Sequence, residues 1–297
     1  MPQRFELIEN RSRLKGVAEI LGGESLIAVD IEADSLYHYA PRVCLIQLSC
    51  RQGTYLVDPL ATGTLSPLDA LLTSTEIRKI FHGADYDLRS LFRDYGIIIN
   101  NIFDTMIGSQ FVGDKEPGLA AVINRRFGIT LEKKYQKANW SKRPLSRDML
   151  SYAAQDTVHL FRLYAELKKE LAGAGRLPWV EEECERLTAA CTVDSTQSGS
   201  EPPFGKNDPA PLFKRFKGAG TMPPRDLAVL ETILQFRENE ARRQDKPPFK
   251  IFGNNLIKTL VATKPVNVAA LSKISKLPRN FVNKYGKGVV TAIEGAC

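Results

Sequence analysis

One short run constrains this chain more than any other segment. In Leu26-Ile27-Ala28-Val29-Asp30-Ile31-Glu32-Ala33-Asp34, apolar and β-branched residues predominate, as in a β-strand. Side chains of a strand alternate between its two faces, so Asp30 and Glu32 share one face. Carboxylates held that close repel each other and raise a pKa unless a cation neutralises them. Ligands that offer only oxygen suit Mg²⁺ or Mn²⁺. The apolar flanks argue against the ordinary alternative, a pair of carboxylates at a strand end facing water.

Two further groups carry chemistry. In His82-Gly83-Ala84-Asp85-Tyr86-Asp87-Leu88, Asp85 and Asp87 compete with Asp94 for the place of a third carboxylate. Asp85 reads as a first-turn residue of a helix that starts near it, where the dipole favours an acid. In Tyr152-Ala153-Ala154-Gln155-Asp156, the tyrosine and aspartate are spaced i, i+4 and project from one helical face. The plain alternative is a tyrosine packed on the core and an aspartate on the surface. His82 and His159 read as packing or orienting residues, since a hard cation prefers oxygen. Lys134, Trp140 and Arg143 belong to a basic, aromatic-bearing segment that could hold phosphates and stack a base, or serve as an ordinary loop. Lys214 and Arg215 pose the same choice, and His82 joins these residues as a candidate nucleic-acid contact.

The order of elements gives the architecture. Strand candidates are 26–32, 43–49, 54–58 and 78–82, the first three forming a meander; helix candidates are 64–72, 85–94, 104–112, 118–127 and 146–171. This mixed order predicts a sheet flanked by helices, an α/β domain over residues 1–172. Ser146 is the expected N-cap of the last helix, which ends near Gly173 and Gly175. Residues 173–221 read as a connecting helix (178–191) followed by a Ser- and Pro-rich linker (192–211). Beyond it, 222–297 is purely helical: Leu227, Leu230 and Leu234 recur at helical spacing, and amphipathic segments 254–262, 267–276, 279–285 and 288–295 are separated by Pro247-Pro248, Pro265, Pro278 and Gly286.

Charge divides along the same line. The net charge is +7, yet residues 211–297 hold 16 Lys+Arg against 6 Asp+Glu, while residues 1–210 hold 25 against 28. A basic module beside an acidic, metal-seeking site suggests a polyanionic substrate, although a solvated lysine-rich face has the same composition. A hydrophobic content of 43% and a charged content of 25% fit a globular protein. No apolar run reaches the length of about 18 residues that a membrane helix needs. The five cysteines form no Cys-x-x-Cys pair, so a reducing cytoplasm is the expected location.

Asp-x-Glu on an early strand, His-Gly-Ala-x-x-Asp-Leu in the middle and Tyr-x-x-x-Asp on a late helix resemble the three motifs of the DEDD exonuclease superfamily. They match its tyrosine-bearing branch, and the ribonuclease D family in particular. The resemblance runs collinearly over about residues 5–170, through Pro41-Arg42-Val43-Cys44-Leu45-Ile46-Gln47-Leu48, Phe103-Asp104-Thr105 and Asn139-Trp140-Ser141-Lys142-Arg143-Pro144-Leu145. The histidine-bearing branch needs His five residues before the last aspartate, where this chain has Ser151. The helical segment resembles the HRDC module shared by RecQ-type helicases and ribonuclease D.

The resemblance implies a ribonuclease H-like DEDD domain followed by one small all-α HRDC bundle that binds nucleic acid. Its pattern selects Asp87, because an apolar residue follows directly. It further implies that Asp30, Glu32, Asp87 and Asp156 hold two Mg²⁺ or Mn²⁺ ions, and that Tyr152 orients or deprotonates the attacking water. The implied reaction is 3′→5′ hydrolysis of RNA to nucleoside 5′-monophosphates, with tRNA precursors or other structured RNAs bearing a free 3′ end as substrates. A DNA 3′→5′ exonuclease and an inactive nucleic-acid-binding protein are the alternatives. The complete set of four carboxylates and a tyrosine argues against the second.

Overall fold

The computed structural model describes residues 5–197, 211–275 and 277–296, which fall into two compact units: 1–34 with 42–202, and 35–41 with 203–297. In the first unit the chain runs β1 (Phe5–Ile8), α1 (Arg11–Gly22), β2 (Leu26–Ala33), β3 (Val43–Cys50), β4 (Gly53–Val57), α2 (Pro59–Thr62), α3 (Asp69–Thr73), β5 (Arg78–Phe81) and α4 (Asp85–Tyr95). It continues through β6 (Ile102–Asp104), α5 (Thr105–Val112), α6 (Leu119–Phe127), α7 (Arg147–Val158), α8 (Leu160–Gly173) and α9 (Leu177–Gln197). Among the described residues, six strands form one mixed sheet in the order β1-β4-β3-β2-β5-β6. The expected meander is present, with β2-β3 and β3-β4 antiparallel, and parallel partners extend it on both sides: β1 on β4, and β5 then β6 on β2.

The two faces of this sheet have different work. Val29, Ile31, Ile46, Leu48, Tyr55 and Val57 point into the main apolar core. The opposite face carries Asp30, Glu32, Leu45, Gln47, Ser49, Thr54 and Leu56, as the strand register requires. Helix α7 covers this second face with Leu150, Ala153, Ala154 and Thr157, which are buried at i, i+3, i+4, i+7 spacing. A hydroxyl cluster pins it there: Ser49 Oγ lies 2.7 Å from both Thr54 Oγ1 and Thr157 Oγ1.

Several boundaries differ from the sequence reading. The single helix expected over 146–171 begins as foreseen, with Ser146 Oγ accepting from Met149 N, but breaks at His159 into α7 and α8. The helix expected over 64–72 is a 3₁₀ turn, Ser66–Leu68, followed by the short α3. Helix α9, read as a connector, packs on the first unit and buries Val180, Cys184 and Cys191 in the main core. Most of the expected 192–211 linker lies outside the described residues.

The second unit has 3₁₀ turns at Leu212–Arg215 and Ala219–Thr221, then α10 (Pro224–Arg243), α11 (Pro248–Ile251), α12 (Asn254–Thr263), α13 (Val268–Ser272) and α14 (Arg279–Glu294). The break expected at Gly286 is absent, for α14 passes through it. Glycine is tolerated there because of close packing: a Cβ on Gly286 would lie 3.3 Å from Leu271 Cδ2, and one on Gly288 would collide with the Phe236 ring. No helix of the described residues is long and apolar enough to cross a membrane.

Candidate active site

Strand β2 presents Asp30 and Glu32 on the face beneath α7, and α4 brings Asp87 inward in its first turn. A network of backbone bonds sets that turn. Asp104, almost fully buried, accepts from Gly83 N at 2.9 Å, Ala84 N at 2.8 Å and Met106 N at 2.8 Å, tying the Gly83-Ala84 loop to the start of α5. Gly83 has φ +81°, a conformation that side chains rarely adopt, so this turn into α4 suits glycine. Next to it, His82 Nδ1 and Thr105 Oγ1 stand 2.9 Å apart, and Thr105 Oγ1 donates to Phe81 O at 2.8 Å.

The three candidate middle carboxylates separate clearly. Asp85 is exposed and pairs with Arg89 at 3.0 Å. Asp94 pairs with Arg93 at 2.6 Å and accepts from Val43 N at 2.8 Å. Asp87 alone of the three is buried; its pKa is strongly raised, by burial first and then by the charge of Asp30.

Electrostatics join the remaining acids into one cluster. Asp30 is raised well above the usual carboxylate range by burial and then by Asp156. Glu32 is raised by burial and then by Asp30, Asp156 and Asp87. Burial pushes Asp156 up to about 7. Tyr152, 7% exposed, is also raised, by burial and then by Asp156, Glu32 and Asp30. The two halves of the site, i, i+2 on β2 and i, i+4 on α7, thus face one another with Asp87 beside them.

Whether this set suits a metal turns on its donors. All four acids offer oxygen, burial raises each of them, neighbouring acids raise three of them further, and a cation would relieve them all. Among the described residues, however, no three His, Cys, Asp or Glu side chains already surround a point in metal-ligand geometry. The donor chemistry fits a hard divalent ion.

The other sequence candidates divide: Trp140, Arg143 and His82 turn inward, whereas Lys134, Lys214 and Arg215 stay exposed. Trp140 is 1% exposed and packs with Tyr152 at 6.3 Å between ring centroids, so it presents no face for stacking a base. Arg143 donates to Asp58 at 2.6 and 2.8 Å and to the carbonyls of Trp140, Lys142 and Cys44; it cross-links the fold instead of offering its fork to phosphate. His82 is held in the Thr105 network, and burial lowers its pKa, which keeps the ring neutral. Lys134 is exposed, 3.9 Å from Asp148 and over the Tyr135 ring. Lys214 and Arg215 are exposed on the 3₁₀ turn of the second unit.

Two residues of this site escaped the sequence reading. Tyr135 packs edge-on to Tyr152 at 5.7 Å, and no periodicity marks it out in its irregular segment. Asp104 had a legible signal, an aspartate directly before a helix, which is the pattern of an N-cap.

Comparison with known proteins agrees with this geometry. Residues 5–172 match the 3′-5′ exonuclease family model, and residues 226–293 match the HRDC domain. Ribonuclease D of Gluconacetobacter diazotrophicus is 32% identical over 98% of this chain and 71% of its own length. The chain belongs to the 3′-5′ exonuclease family, in its ribonuclease D branch. The crystal structure of Escherichia coli RNase D, described as an exoribonuclease involved in structured RNA processing, superposes with TM-score 0.77 at 25% identity, covering 99% of this chain and 75% of that one. NrnC of Brucella melitensis, solved with bound Mg²⁺, shares the fold at TM-score 0.56 and 24% identity, over 70% of this chain and all of that one.

Proposed function

We propose that this 3′→5′ exoribonuclease trims the 3′ ends of structured RNAs, tRNA precursors among them, in the cytoplasm, and that it does so with two Mg²⁺ or Mn²⁺ ions. Asp30, Glu32, Asp87 and Asp156 would hold the ions. The observation that carries this reading is the clustering of four carboxylates, each pushed up by burial and three of them also by neighbouring acids, a load of negative charge that divalent cations would neutralise. When bound, such ions activate water and offset the charge that develops on the phosphoryl and departing 3′ oxygens.

The chain's own residues supply position and shielding. With its pKa raised, the Tyr152 hydroxyl stays protonated at neutral pH. A neutral phenol is a poor base, so orienting the attacking water by a hydrogen bond is the role that suits Tyr152. Trp140 and Tyr135 hold that ring from two sides, which fixes where its hydroxyl points. The basic HRDC unit would grip RNA phosphates beyond the scissile bond.

The test is a pair of matched RNA and DNA oligonucleotides incubated with Mg²⁺ or Mn²⁺. Stepwise release of nucleoside 5′-monophosphates from RNA, much faster than from DNA, is the expected result. Equal or faster turnover of DNA would replace this reading with the DNA exonuclease.

A further inference from the structure

Gln47 stands in an unusual position. It is fully buried in the middle of β3, and among the described residues neither its Oε1 nor its Nε2 has a hydrogen-bond partner. Buried amides are normally satisfied, and one left unmade lowers stability where an apolar residue of the same size would not. The strand register says what lies next to it. Gln47 is directly opposite Asp30 on β2, and opposite Leu56 on β4. Opposed residues of an antiparallel pair project to the same face, with Cβ atoms about 4.5–5.5 Å apart. Along that face Leu45 opposes Glu32, and Ser49 is bonded to Thr157 of α7. The amide therefore lies under α7, beside the carboxylate cluster and away from bulk water.

We propose that Gln47 is a positioning residue of the carboxylate site, whose Nε2 would donate to the Asp30 carboxylate once a divalent cation is bound and so fix the orientation in which Asp30 meets it. The inference rests on the metal-binding reading of the preceding section. Asp30, and not Glu32, is the partner, because Glu32 is opposed by a leucine. A neutral donor suits the task on chemical grounds. A lysine here would itself neutralise Asp30 and compete with the cation, and a glutamate would add to the repulsion. The unsatisfied amide is then a stability cost of the metal-free site that is recovered when the carboxylate is drawn into place.

The test uses full-length Gln47→Met, which keeps the length of the side chain and removes both its donor and its acceptor. Three quantities are measured against wild type: the melting temperature without metal, the Mn²⁺ concentration that gives half the maximal rise in melting temperature, and kcat and KM for a short RNA oligonucleotide. The expected result is a metal-free melting temperature equal to or above wild type and a half-saturating Mn²⁺ concentration raised tenfold or more, as for other residues that orient metal ligands. At limiting Mn²⁺ kcat should fall with KM unchanged, and excess Mn²⁺ should restore it. A lower metal-free melting temperature with wild-type metal response and kcat would overturn the proposal, making Gln47 a packing residue. If Gln47→Met does not fold, Gln47→Leu is read in the same way, and failure of both to fold overturns it too. Wild-type protein whose melting temperature ignores Mn²⁺ would overturn the metal-binding reading itself, whereas a wild-type response matched by the variant overturns only the role of Gln47.

Discussion

Without bound metal, burial pushes the pKa of the Asp156 carboxyl up to about 7 from the ordinary value of 3.8. A carboxyl raised on folding favours the folded state while protonated, so its contribution is full below the ordinary carboxylate range and is lost as pH rises through about 7. Asp30, Glu32 and Asp87 are shifted the same way. Without metal, the protein should therefore melt at a higher temperature at pH 5.5 than at pH 8, and calorimetry across that range checks the sign. A saturating divalent cation should shrink or reverse the difference. Asp156→Asn removes one of the repelling charges, so its metal-free melting temperature at pH 8 should rise by several degrees while hydrolysis falls at least a thousandfold, order-of-magnitude figures for a lost ligand and a relieved repulsion. Tyr152→Phe deletes only the hydroxyl. It should lower kcat by about a hundredfold with RNA affinity unchanged in a binding titration, the typical scale for a water-positioning group. An unchanged rate would leave Tyr152 as a packing residue between Tyr135 and Trp140.

The elements that carry the site owe their positions to buried polar bonds as much as to apolar packing. Asp104 accepts four backbone N–H groups at the junction of β6, α5 and the Gly83 loop. Asp104→Ala should thus cost more than an ordinary N-cap, roughly 2–4 kcal/mol by urea unfolding, and slow hydrolysis by letting the first turn of α4 shift. A loss below about 0.5 kcal/mol would show that the loop holds without it. What could be read from the sequence follows from the same physics. The i, i+2 and i, i+4 spacings of the acids are local, so Asp30, Glu32, Tyr152 and Asp156 were legible as pairs. Strands β1 and β6 are four and three residues long and leave too short a pattern. Helix α1, with Leu14, Val17 and Leu21 on one face behind the Asn10 cap, did carry a readable signal. The break at His159 has no proline or glycine to announce it, and tertiary packing decides it. Arg143 and Trp140 misled because a basic, aromatic segment has the same composition whether its side chains face phosphate or fold inward on Asp58 and Tyr152.

Across the whole molecule, charge separates the acids of the exonuclease unit from the basic HRDC unit, where Lys258, Lys273 and Lys287 are exposed. Changing these three to Gln should lower the slope of log K against log salt on structured RNA by up to about 2–3, since each duplex phosphate contact contributes about 0.9. Turnover of a short single strand should be unaffected; an unchanged slope would mark these lysines as a solvated face. The central claim, that the clustered carboxylates run 3′→5′ hydrolysis, has a more direct test. A 5′-labelled RNA oligonucleotide is incubated with wild-type protein and with Asp30→Asn, each with Mg²⁺ and with chelator, while circular dichroism monitors the fold. The account predicts a ladder shortening one nucleotide at a time from the 3′ end, with nucleoside 5′-monophosphates released, only in wild type with Mg²⁺. Internal cleavage, or a folded Asp30→Asn variant within tenfold of wild type, would contradict it.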